Sequence, residues 1–269
     1  MRSAPPAPGG PERGAPPGPA NPFGLTEALV GLLAGLVLAT LAVAIFGALS
    51  HHRAHPSTFG SDVASLIGLW TGLAGSAVLA SRSHAARRWR EDGSPHGPLW
   101  RRVVEDYGLR LRPWPDVPLG VAAGLASQYL LVPLLTLPLL PFVPDLFTRL
   151  GQPAKQLVAH DSTSGLVVLG LLVCVGSPLV EELFFRGLLL RGLAGRLAPA
   201  PPKRVAVLCV IVTAVVFGFV HFEALQLIGL VGFGVVLASL AWRTRRLGPG
   251  LVAHITFNAV TYVALALSR

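Results

Sequence analysis

Residues 166–190 read LVVLGLLVCVGSPLVEELFFRGLLL. The first part of this stretch is uncharged and almost wholly apolar, and Gly187-Leu188-Leu189-Leu190 closes it on the other side. About 20 such residues suffice to cross a bilayer. Yet Glu181, Glu182 and Arg186 sit inside the run. Charge within a membrane is expensive, so an ionisable cluster there points first to a functional site. The competing reading is a buried ion pair that locks helices together.

The rest of the chain agrees with a membrane setting. Of 269 residues, 52% are hydrophobic and 13% charged, with mean hydropathy +0.61. A soluble domain carries about a quarter charged residues. The predicted fold is all-α, a polytopic transmembrane helical bundle of about seven spans: 25–49, 61–81, 118–140, 164–190, 204–222, 225–242 and 249–267. The runs are continuously apolar rather than alternating, which argues against a β-barrel. Cys174 and Cys209 fall inside spans and read as small buried hydrophobes, with neither a disulfide framework nor zinc-type spacing. Arg outnumbers Lys by 20 to 2, and Ala, Gly and Pro are abundant. That composition suggests a high-GC bacterial genome and hence a bacterial inner membrane.

Three regions follow from composition. Residues 1–22 are rich in Pro, Gly and Ala and are expected to be disordered. They are not a clear signal peptide, because the basic start is separated by a long Pro-rich stretch from a first apolar run too long for an h-region, and that run is expected to be retained as the first span. Residues 23–163 hold the N-terminal spans and a basic loop, 82–117, with Trp89, Trp100 and Trp114. That loop reads as an interfacial amphipathic stretch, with Trp at headgroup level and Arg toward anionic lipid. Residues 164–269 carry the candidate site.

Basic residues set the orientation. With a cytoplasmic N-terminus, the inner segments hold Arg2 and Arg13, then Arg82, Arg87, Arg88, Arg90, Arg101, Arg102, Arg110 and Arg112. They also hold Arg191, Arg196, Lys203 and Arg204, and finally Arg243, Arg245 and Arg246, seventeen in all. The outer segments hold four: Arg53, Arg149, Lys155 and Arg269. This asymmetry also accounts for the pI near 10.9 without any nucleic-acid partner.

Three polar clusters could carry chemistry. Glu182 and Arg186 are four apart and share a helix face, in the favoured order. Glu181 lies about 100° round the axis, so it stays available as a base while its neighbour is paired. The second cluster, Phe217-Gly218-Phe219-Val220-His221, ends the fifth span; alone, His221 is as readily an interhelical contact as a functional group. The third, His254 and Asn258, again four apart, could donate two hydrogen bonds to one oxyanion or could clamp two helices.

Taken together, EELFFRG, then F-x-x-x-H, then H-x-x-x-N, on the fourth, fifth and seventh spans, resembles the CPBP family of intramembrane proteases. That family includes the CaaX prenyl endopeptidases of the Rce type and bacteriocin self-immunity proteins. The resemblance covers about residues 164–267. It implies a water activated by Glu181 with help from His221, an oxyanion bound by His254 and Asn258, and a site held in shape by Glu182 and Arg186. The implied partner is a membrane-associated protein or peptide substrate within the lipid bilayer. The family is often labelled metalloprotease, and Glu181, His221 and His254 would be the ligands of a zinc ion. The H-E-x-x-H device is absent, however, and the expected mechanism is metal-free. The alternatives are a scaffold or immunity protein that keeps the fold without proteolysis, and a transporter using Glu181 and Glu182 as a proton relay. No internal repeat favours the transporter.

One feature of the span pattern resists this assembly. If the fifth and seventh spans began at one level, His221 and His254 would differ in depth by roughly 18 Å. The difference vanishes if the helices are staggered, bent or begin in the cytosol, and Pro199, Pro201 and Pro202 or a break at Gly176-Ser177-Pro178 would allow such a shift.

The orientation predicts a labelling pattern. In a variant lacking Cys174 and Cys209, a cysteine at Ser94 should resist impermeant thiol reagents in intact cells, and one at Ser162 should react. The reverse pattern contradicts an inward N-terminus.

Overall fold

Small residues bring the first two helices together. A computed structural model describes residues 24–50, 58–92, 97–159 and 162–268. Helix α1 (Gly24–Leu49) lies against α2 (Thr58–Asp92) with backbones nearly touching. A Cβ on Gly72 would fall 2.3 Å from the Gly35 Cα, and one on Gly31 would fall 2.2 Å from the Ser76 Cβ. Between lipid-embedded helices, where no hydrophobic effect drives association, this close approach supplies the packing. Leu29, Val30, Leu33 and Val37 point outward and are exposed, as lipid-facing side chains are.

The remaining elements are α3 (Leu99–Tyr107), α4 (Pro113–Leu139), α5 (Leu146–Leu150), α6 (Gln152–Ala159), α7 (Thr163–Arg196), α8 (Pro202–Phe219), α9 (Leu227–Thr244) and α10 (Gly248–Leu267). Seven of the described helices, α1, α2, α4 and α7 to α10, are long and apolar enough to cross a membrane. The protein is an integral membrane helical bundle, with no strand among the described residues. The seven expected spans each correspond to one of these helices. The tail 1–22 lies outside the described residues.

The core gathers around α7, where Phe184, Phe185, Leu188, Leu189 and Leu190 are buried with Phe217 of α8 and Phe233 and Leu237 of α9. Helix α7 does not break at Gly176-Ser177-Pro178. Pro178 cannot donate to the carbonyl one turn back, and the helix absorbs this by widening into a π-helical turn at Leu172–Gly176. A second, longer π-helical stretch spans Glu182–Leu189. Such widened turns are frequent at functional sites.

At one end of the bundle, several chain reversals are tied together. Arg191 of α7 donates to the Asp106 and Tyr107 carbonyls at 2.8 and 3.0 Å, and to the Arg245 carbonyl at 3.4 Å. One cation thus serves the C-terminal ends of α3 and α9, where carbonyls and helix dipoles favour positive charge. Gly108, at φ 62°, makes the turn after α3; a Cβ there would meet the Arg245 oxygen at 2.7 Å. Asp116, fully buried near the start of α4, pairs with Arg246. Tyr107 is buried and donates to the Ala77 carbonyl at 2.7 Å. Burial pushes its phenol above the usual range, so it remains an O–H donor.

Candidate active site

The π-helical stretch of α7 delivers Glu182 and Arg186 to the centre of the bundle, with Glu181 just before it. Glu182 and Arg186 are 0% and 1% exposed. Arg186 Nη1 donates to Glu182 Oε1 at 2.8 Å, with neither side chain reached by solvent. Arg186 Nη2 lies 3.4 Å from the Gly234 carbonyl of α9. Its guanidinium carbon sits 4.4 Å from the Phe217 ring centroid, a cation–π contact in a dry setting. Glu182 and Arg186 are therefore the partners that their four-residue spacing predicts.

His254 joins them from α10. It is 3% exposed, and its Nδ1 lies 3.0 Å from Glu182 Oε1, the same oxygen that Arg186 uses. A carboxylate can only accept, so Nδ1 carries the proton. The other ring nitrogen, Nε2, faces Glu181 Oε2 at 3.8 Å. That gap is too long for a direct hydrogen bond. Glu181 Oε2 has no other partner among the described residues, although it is buried. The Glu181 side chain as a whole is 14% exposed, against 0% for Glu182. The two adjacent carboxylates are thus separated as their offset of about 100° requires, one fully buried and one partly exposed.

Aromatic rings fix the imidazoles. Phe217 lies 5.7 Å and Phe233 5.4 Å from the His254 ring, both edge-on. Phe217 also lies 4.7 Å from the His221 ring, which follows just past the end of α8. Both histidines contact one phenyl ring, so their separation cannot exceed these two distances laid end to end, well short of 18 Å. The stagger that does this is visible in the packing. Gly234 of α9 meets Ala214 of α8, while Gly250 of α10 approaches the Leu237 carbonyl. Phe233 therefore brings His254 level with Phe217, although His254 lies much nearer the start of its own helix.

His221 Nδ1 lies 2.7 Å from the Phe217 carbonyl. A carbonyl accepts, so Nδ1 is the donor and Nε2 is left as an acceptor. Phe222, at φ 54°, turns the chain immediately afterwards, a left-handed conformation that a bulky residue adopts only under constraint. Asn258 sits one turn beyond His254. Its Nδ2 donates to the Val173 carbonyl at 3.0 Å, in the first π-helical turn of α7. Tyr262, one turn further, donates to the Leu166 carbonyl at 2.7 Å. Asn258 is thus an interhelical clamp here, with the second proton of its amide still available.

Among the described residues, no three His, Cys, Asp or Glu side chains converge as a metal-ligand group. Glu181, His221 and His254, the set a zinc ion would require, do not form one as placed. His254 commits Nδ1 to Glu182 and His221 commits Nδ1 to a backbone carbonyl, so Nε2 of each ring is the atom open to a ligand.

Residues 163–260 match the family model for the type II CAAX prenyl endopeptidase, Rce1-like. This region is similar to that family. The match covers about a third of the chain, runs from α7 into α10, and includes all six residues of the polar clusters. No curated protein and no solved structure matches the chain. Within the Rce1-like region, sequence spacing did not point to Phe233, Gly234 or Gly250. Gly250 lets α10 approach so closely that a Cβ there would sit 3.0 Å from Glu182 Oε2. Nothing at helical spacing distinguishes these residues from ordinary core.

The geometry predicts an asymmetry between single and double substitutions. Arg186→Leu strands the Glu182 carboxylate in a dry core and should destabilise the protein by about 3–5 kcal/mol. Adding Glu182→Leu should recover much of that loss, read as accumulation and thermal unfolding in detergent. Equal instability of the single and double variants would contradict the pairing.

Proposed function

We propose that residues 164–269 form an intramembrane endopeptidase that hydrolyses peptide bonds of membrane-associated proteins or peptides. The observation that best supports this reading is His254, held by Glu182 through Nδ1 with Nε2 turned toward Glu181.

In this mechanism Glu181 takes a proton from a water molecule. The water oxygen attacks the scissile carbonyl carbon, and negative charge develops on the carbonyl oxygen. His221 Nε2, the free acceptor of its ring, orients the same water. As the C–N bond breaks, Glu181 passes its proton to the departing amine nitrogen; the other fragment leaves as a carboxylic acid, which then gives up its proton to the released amine or to solvent. The developing oxyanion takes a hydrogen bond from His254 Nε2 and a second from the unused amide proton of Asn258.

Charge balance constrains the protonation of His254. Nδ1 already holds one proton, so Nε2 can donate only if the ring carries two. With Glu181 and Glu182 ionised, Arg186 alone leaves the buried cluster with one excess negative charge. Two protons on the ring, together with Arg186, would balance the charges of Glu181 and Glu182.

The test is hydrolysis of labelled membrane peptides by the purified full-length chain in detergent, with a farnesylated CaaX peptide and its unprenylated counterpart as separate arms. Glu181→Ala, His221→Ala and His254→Ala should each abolish cleavage while the protein still accumulates. Asn258→Ala should lower the rate by about 10²–10³, the usual loss for one oxyanion donor. Full activity in Glu181→Ala contradicts the mechanism.

A further inference from the structure

Helix α3 lies at the end of the bundle where α2 finishes and α4 and α10 begin. Its two sides differ. Val103 and, just past its end, Leu109 pack on the core, and Tyr107 is buried. The opposite side is open: Trp100 is 63% exposed, and Arg101 lies over its ring at 5.1 Å. The open edge continues through Arg110, Leu111 and Arg112 to Trp114, which is 82% exposed. Arg101 and Arg110 have no hydrogen bond or ion pair through their side chains among the described residues. Glu105 is the one exposed carboxylate on this edge.

Exposed Trp and Leu interleaved with Arg, at the ends of spanning helices, match the headgroup layer of a bilayer. The aromatic rings suit its amphipathic depth and the guanidiniums suit anionic phosphates. The same helix is bolted to the catalytic helix. Tyr107 packs on Gly187, where a Cβ would meet its ring at 3.1 Å. Arg191, five residues beyond Arg186, grips the last two carbonyls of α3. Gly187 lies next to Arg186 in the π-helical stretch that carries the site.

We infer that α3 and the turn after it are a docking surface for anionic lipid headgroups, joined to α7 so that headgroup binding steadies the π-helical stretch and its site. The effect on cleavage rests on the endopeptidase reading; the docking and its transmission to α7 do not.

The experiment uses the full-length chain in nanodiscs of phosphatidylcholine alone or mixed with phosphatidylglycerol. Amide hydrogen exchange is followed over residues 99–107 and 183–190, alongside cleavage of a labelled peptide. Phosphatidylglycerol should slow exchange in residues 99–107 by up to about thirtyfold, the scale expected for two Arg side chains at an anionic surface. Exchange in residues 183–190 should slow as well, and cleavage should speed up. Arg101→Gln with Arg110→Gln should remove all three responses. Arg196→Gln with Lys203→Gln removes equal charge from exposed positions elsewhere and should preserve them. High salt should weaken the responses. Equal exchange in the two lipids, or equal loss in both double variants, overturns the docking surface. A response confined to residues 99–107 overturns the link to α7. Absence of cleavage in every lipid overturns the endopeptidase reading, and the exchange data still decide this inference.

Discussion

A single carboxylate oxygen, Glu182 Oε1, receives Arg186 at 2.8 Å and His254 at 3.0 Å. The two donors come from the same helix and from the last one, so this oxygen fixes α10 against α7 at the level of the site. In a bilayer interior such a junction is stringent, because a buried carboxylate without its partners is strongly destabilising. The surrounding packing follows from it. Gly250 lets α10 approach, Gly234 supplies a carbonyl to Arg186, and Phe217 and Phe233 wall the imidazole in. Glu181, one residue away, is partly exposed and faces the other His254 ring nitrogen at 3.8 Å.

Much of this arrangement was legible in the sequence because helical geometry is local. The offset between Glu181 and Glu182, the pairing of Glu182 with Arg186, and the shared face of His254 and Asn258 all follow from residue spacing along a helix. The seven spans were legible from apolar run length. What spacing could not give is relative depth. The stagger between α8 and α10 is set by glycine contacts between different helices, which spacing along one helix does not encode. Asn258 shows the same limit from another side. Its spacing from His254 suggested a second oxyanion donor, but one amide proton is committed to Val173, whose carbonyl lies in a π-helical turn that no periodicity announced.

The site also depends on parts of the chain outside the Rce1-like region. Arg191 gathers the ends of α3 and α9, and Tyr107 packs against the π-helical stretch. Asp116 and Arg246 join the start of α4 to the turn before α10. The helices before α7 thus pack against the region that carries the candidate site, and their contacts at Gly187 and Arg191 lie a few residues from Glu182 along α7.

The most direct measurement is the ¹⁵N resonance of the His254 ring in protein labelled at histidine, compared with Glu182→Gln. The shared carboxylate predicts a protonated Nδ1 whose signal shifts when the Glu182 charge is removed, while the His221 signals stay in place. An unprotonated Nδ1, or a His254 signal indifferent to Glu182→Gln, would contradict the account.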